Sequence, residues 1–243
     1  GIAMVFAMVV MGVIFLVSQV LILREFLLAF QGNEFVVGIV LGSWLLLEAL
    51  GSVLTGRRAD RSRDPLGAFA AVQALLALLL PLTLLAIRSH RYLLGISPWE
   101  VVSYLQIWGI SLVVLGPLGL LNGAAFAYGC RLMATGEQAR GNAPGKVYAL
   151  ESLGAFLGGL AFTFLLVGRV QPIRIAFCLG AVIMACVLFL IRSEGGGRGS
   201  QERESVNRRS RGAHGAFCLM LMALLIAATV SPLCGQIQRW SMQ

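Results

Sequence analysis

The feature that most constrains this chain is the length of its apolar runs. They come in blocks of roughly 18–22 residues, the length needed to cross a ~30 Å hydrocarbon layer as α-helix. Water-exposed helices would break such blocks with a polar stripe every turn. Here the stripe is missing: 58% of residues are hydrophobic and only 12% are charged. An ordinary soluble domain carries about 25% charged residues, and this chain has too few to cover a wetted surface. The expected fold class is therefore all-α, a polytopic transmembrane helix bundle of about seven spans, with the lipid bilayer as solvent.

The spans read off the sequence run from about Ile2 to Ile22, Phe35 to Thr55, Leu66 to Ile87, Val101 to Cys130, Val147 to Val167, Pro172 to Ile191 and Gly212 to Leu233. The fourth is long enough to tilt, and Pro117 is expected to kink it. Residues 1–192 thus form a six-helix transmembrane bundle. Residues 193–211, rich in Gly, Ser, Arg and Glu, read as a basic flexible cytoplasmic linker. Residues 212–243 hold the seventh helix and the start of a connection to a soluble domain. The chain opens at Gly1 already inside an apolar run, so a preceding stretch is expected and a cleaved signal peptide is not.

Net charge is +8. In a soluble protein this would suggest nucleic acid, but here the Arg residues occupy short loops between apolar blocks, so no nucleic-acid partner is expected. The loops at 56–65, 131–146 and 192–211 carry 13 of the 19 Lys and Arg residues. The positive-inside rule places that side in the cytoplasm, and with it the N-terminus. An inner (plasma) membrane location, multi-pass, is the matching expectation. Seven spans would leave Gln243 on the opposite side.

No Walker loop, G-x-G-x-x-G, HExxH or Ser/His/Asp set is present, and Gly195-Gly196-Gly197-Arg198-Gly199 follows no strand, so it reads as linker. His90 and His214 stand alone. The five cysteines form no CxxC and mostly lie in apolar blocks, so no metal, disulfide or cofactor is expected. No catalytic residue is expected in this chain.

Intramembrane polar residues are costly, and they usually face a bundle interior. Glu48, with Ser52 one turn on, is the best placed candidate. It reads either as a cation or proton site or as a protonated Glu hydrogen-bonded to a neighbouring helix. Glu25, with Arg24 beside it and Gln19 before it, suggests an interfacial ion pair near a membrane face. Glu151 is expected at the start of the fifth span, close to the cytoplasm. Three Gly pairs are spaced four residues apart: Gly38 and Gly42, Gly119 and Gly123, Gly154 and Gly158. All three are expected to let helix backbones approach closely. The turn Gly56-x-x-x-Asp60-Arg61-x-Arg63 resembles the cytoplasmic loop of major-facilitator transporters, in which Asp and Arg lock neighbouring helix ends. A basic loop of ordinary inner-membrane type explains it equally well.

Three stretches, in order and spacing, resemble the N-terminal membrane region of bacterial membrane-fused spermidine synthase-like proteins. They are Ser18-Gln19-Val20-Leu21-Ile22-Leu23-Arg24-Glu25 with Gly32-Asn33-Glu34, then Gly116-Pro117-x-Gly119-x-x-Asn122-Gly123, then Val147-Tyr148-Ala149-Leu150-Glu151-Ser152-Leu153-Gly154 through Gly158. Gln19 and Glu151 depart from that family's pattern, where an acidic residue and an Asn are common. The resemblance implies a major-facilitator-like helical region joined to a soluble aminopropyltransferase domain or subunit. It also implies a role in anchoring that enzyme and in supplying or passing polyamine-type cations. A small transporter half and a noncatalytic scaffold subunit are the alternatives.

Overall fold

A computed structural model describes residues 2–30, 34–93, 102–134, 137–194, 215, 219–227 and 229. Six long helices dominate: α1 (Ile2–Ala29), α2 (Glu34–Arg61), α3 (Pro65–Leu93), α4 (Tyr104–Met133), α5 (Glu137–Ala161) and α6 (Pro172–Glu194). A π-helical turn, Phe162–Leu166, extends α5. Among the described residues there are no strands, and six helices are long and apolar enough to cross a membrane. The fold is a helical bundle. Of the expected seventh span, 219–227 is helical, and the rest lies largely outside the described residues. Leu221 and Leu225 are buried against α3 and α6 residues such as Ala77 and Met184. The 193–211 linker falls outside the described residues from 195 onward.

Local chemistry sets the helix ends. Asp64 Oδ1 accepts from the Gly67 backbone N–H at 3.0 Å, and Pro65 opens α3, where its missing N–H costs nothing. Ser103 caps α4 in a reciprocal capping box with Gln106. Gly168, at φ 75°, takes the left-handed conformation that ends the α5 segment, and Pro172 starts α6. Most helices outlast the apolar blocks. α2 in particular runs on through the basic residues to Arg61, where cations near a helix C-terminus are favourable.

Helices consecutive in the chain alternate in direction. Glu25 pairs with Arg88, which brings the C-terminal ends of α1 and α3 together. Phe6 meets Phe189, joining the start of α1 to the end of α6. Phe35 meets Tyr104 at the starts of α2 and α4. The largest interfaces are α2 with α4 and α1 with α5, both between parallel helices; α3 and α6 also pack on each other. The main interfaces keep the same pattern when α1–α3 are exchanged for α4–α6: α2–α4 becomes α5–α1, and α3–α4 becomes α6–α1. Because α1 and α4 run oppositely, the two halves form an inverted repeat of three helices each.

Glycines make both large interfaces possible. A Cβ on Gly12 or Gly154 would strike the backbone of α5 or α1, at Glu151 and Val9. One on Gly123 or Gly51 would strike the backbone of α2 or α4, at Glu48 and Leu120. Two of the three expected Gly pairs lie at these crossings. Gly119 sits against Leu47, where a Cβ would come within 2.7 Å of the Leu47 Cβ. Gly158 is buried one turn after Gly154, and a Cβ on it would lie 2.8 Å from the Val13 carbonyl oxygen of α1. The remaining pair departs from the expectation. Gly38 and Gly42 have nothing near a Cβ, because they lie off the face of α2 that buries Val36, Val40, Ser43 and Leu47. Spacing alone could not tell which helical face meets a neighbour.

Candidate functional site

Two acidic residues stand at the middle of their helices, one on each half of the repeat. Glu48 is midway along α2 and Glu151 midway along the segment formed by α5 and its π turn. α5 begins at Glu137, well before the apolar run, so Glu151 stands near the middle of its helical segment and not near the helix start. Pro144 does not stop this extension; it sits inside the helix.

The backbones around the two residues match. The Glu48 carbonyl abuts Gly123 of α4, and the Glu151 carbonyl abuts Gly12 of α1. One turn further, Gly51 abuts the Leu120 carbonyl and Gly154 abuts the Val9 carbonyl. The sequence repeats along with the geometry: Leu47-Glu48-Ala49-Leu50-Gly51-Ser52 against Leu150-Glu151-Ser152-Leu153-Gly154-Ala155. That repeated Leu-Glu-x-Leu-Gly string was the signal available to a search for internal repeats.

Both side chains are partly buried. No cationic side chain among the described residues pairs with either. Trp44, one turn before Glu48 and 1% exposed, rests edge-on against Phe15 with ring centroids 5.7 Å apart. Its Nε1 is buried and has no hydrogen-bond partner. Ser52 is partly buried one turn after Glu48, at the crossing with Gly123.

Gly158 does not join these carboxylates. Seven residues after Glu151, it stands about 10 Å further along the helix axis, and its close contact is the α1 backbone at Val13. It lets α1 and α5 approach closely.

Compared with family models, with curated proteins and with solved structures, the chain matches none. The site is therefore read from its own chemistry.

Glu25 is a different kind of residue. It is 3% exposed and accepts from Arg88 Nε at 2.6 Å and Nη2 at 2.8 Å, a two-point ion pair across α1 and α3. Arg24, the neighbour that the sequence suggested, is exposed. Consecutive helix residues point about 100° apart, so Arg24 cannot share the inward face. Gln19 is partly buried on α1 and does not join the two central carboxylates. Asp60, Arg61 and Arg63 are exposed or partly so, as is Gly56, and all but Arg63 belong to the end of α2 itself.

The sequence reading passed over one polar locus. Ser18, Gln73 and Asn122 line a narrow pocket between α1, α3, α4 and α6 with room for about one water molecule. Ser18 and Gln73 are each 6% exposed. Among the described residues, no three His, Cys, Asp or Glu side chains converge as a metal site would require.

Proposed function

We propose that this chain is a membrane-embedded moiety that handles polyamine-type cations in a bacterial inner membrane and anchors a soluble aminopropyltransferase domain or subunit. Glu48 and Glu151 carry the cation-handling part. Mid-span carboxylates are expensive in a bilayer, by about 2.5–3.5 kcal/mol each on insertion scales, and usually mark ion or substrate pathways. Glu25 shows how this chain neutralises a carboxylate that serves the fold: it supplies Arg88. Neither Glu48 nor Glu151 is given such a partner among the described residues. The enzyme-linked part rests on the sequence resemblance, and the lack of catalytic motifs in this sequence agrees with an anchoring or supplying role.

A transporter half of major-facilitator type is the second reading, favoured by the inverted three-helix repeat with acidic residues at mid-helix. Under it, the end of α2 with Asp60, Arg61 and Arg63 would lock against a second half. Flux of a radiolabelled polyamine into proteoliposomes tests cation handling in both readings. Uptake lost in Glu48→Gln supports it, and full uptake in that variant removes Glu48 from the pathway. A stoichiometric aminopropyltransferase co-purifying from native membranes separates the first reading from the second.

A further inference from the structure

The narrow pocket between α1, α3, α4 and α6 lies where the two halves of the repeat meet, and the register of the repeat fixes its place. Gly12 and Gly123 hold equivalent positions, each against a glutamate carbonyl, and this pairs Met11 with Asn122. Pro65 and Pro172 open α3 and α6, and this pairs Leu76 with Ile183. Burial supports the second register. Leu75 and Leu82 are exposed, as are their counterparts Val182 and Phe189; Ala77 and Leu80 are buried, as are Met184 and Val187. Met11, Asn122, Leu76 and Ile183 all line the pocket. Two equivalent pairs facing one space put that space on the pseudo-two-fold axis of the repeat.

A pocket on such an axis occurs once, so its polar groups need not occur twice. Here they do not. In the same registers Asn122 answers to Met11, Gln73 to Gly180 and Ser18 to Gly129. Ser18 and Gln73 come from the first half and Asn122 from the second, and the three meet in the one pocket. No charged side chain among the described residues lines it, so the chemistry suits a neutral hydrogen-bonding group and not an ion. Among the described residues, none of the three side chains has a hydrogen bond to another protein group. Ser18 and Gln73 are nevertheless more than nine-tenths buried. Buried hydroxyls and amides cost free energy until they are hydrogen-bonded. The space admits about one water, and a buried water takes two to four polar partners.

We infer that a single internal water occupies this pocket and joins the two halves of the repeat, bonded to Ser18 and Gln73 on one side and to Asn122 on the other. The site goes beyond the cation-handling reading and does not depend on it. Its ligand is neutral, and its residues are not the mid-helix glutamates.

A structure of the full chain in lipid, at a resolution that shows ordered water, tests this directly. One peak is expected about 2.7–3.2 Å from Ser18 Oγ and from the side-chain amides of Gln73 and Asn122. A dry pocket would overturn the site, as would the three side chains bonding directly to one another. A water held by Ser18 and Gln73 without Asn122 would overturn the joining of the halves. Thermal unfolding in detergent gives a second readout. Asn122→Met puts into α4 the side chain that α1 carries at the equivalent place, and is expected to lower the melting temperature by about 2–6 °C, because the water and its other partners lose a bond. Adding Ser18→Ala and Gln73→Met is expected to regain most of that loss, since no polar group is then left buried and unanswered. Losses that simply add in the triple variant would count against a shared water and overturn the inference.

Discussion

At the scale of single residues, the chain treats its buried charges in two ways. Glu25 and Arg88 are 3% and 8% exposed and locked in a two-point ion pair. Removing one partner of such a pair strands the other, at about 3–5 kcal/mol. Arg88→Ala is therefore expected to lower stability in detergent by that amount, read from thermal unfolding. Replacing both partners, as in Glu25→Leu with Arg88→Met, should recover most of the loss, because no charge is left buried alone. Glu48→Gln should behave oppositely and leave the melting temperature unchanged or raise it, since it removes a partly buried carboxylate that no described cation answers. A large destabilisation by Glu48→Gln would place that residue in the framework.

At the scale of helices, the two parallel interfaces depend on glycine at contact points where no side chain fits. Gly12→Val and Gly123→Val would drive a side chain into the Glu151 and Glu48 backbones. Both are expected to abolish the folded, monodisperse protein in detergent or to cost at least ~3 kcal/mol, the top of the usual range for overpacking, because backbone has to move. Gly158→Val, against the Val13 backbone, should damage the α1–α5 interface in the same way. Gly42→Val is the control: its Cβ meets nothing within 4 Å, so elution profile and melting temperature should stay near wild type. Helix existence was legible in the sequence because a long uninterrupted apolar run has one stable form in lipid. Helix ends were less so. Basic ends let α2 and α4 continue past their apolar blocks, and α5 begins before its own, which puts Glu151 near the middle of its helical segment.

At the scale of the molecule, alternating helices put the ends of α2, α4 and α6 on one side, the side rich in Arg. Single cysteines at Ser62 and Ala134, in a background lacking native cysteines, are expected to react with a membrane-impermeant reagent only after the membrane is opened. A cysteine at Gly168 should react in intact cells. The opposite pattern would invert the topology while leaving the bundle itself untouched.

The sequence alone determined that this chain is helical and lipid-solvated, roughly where each of six helices lies, and that Glu25, Glu48 and Glu151 are its costly residues. Those conclusions follow from composition and run length, which act locally along the chain. Which partner each residue meets was decided only by the tertiary structure. Arg88 reaches Glu25 across 63 positions. Gly12 admits the backbone at Glu151 and Gly158 the backbone at Val13, while Gly38 meets no neighbour despite its spacing. Helix rotation and neighbour choice come from packing between segments distant in sequence, where close backbone approach and charge pairing are settled together.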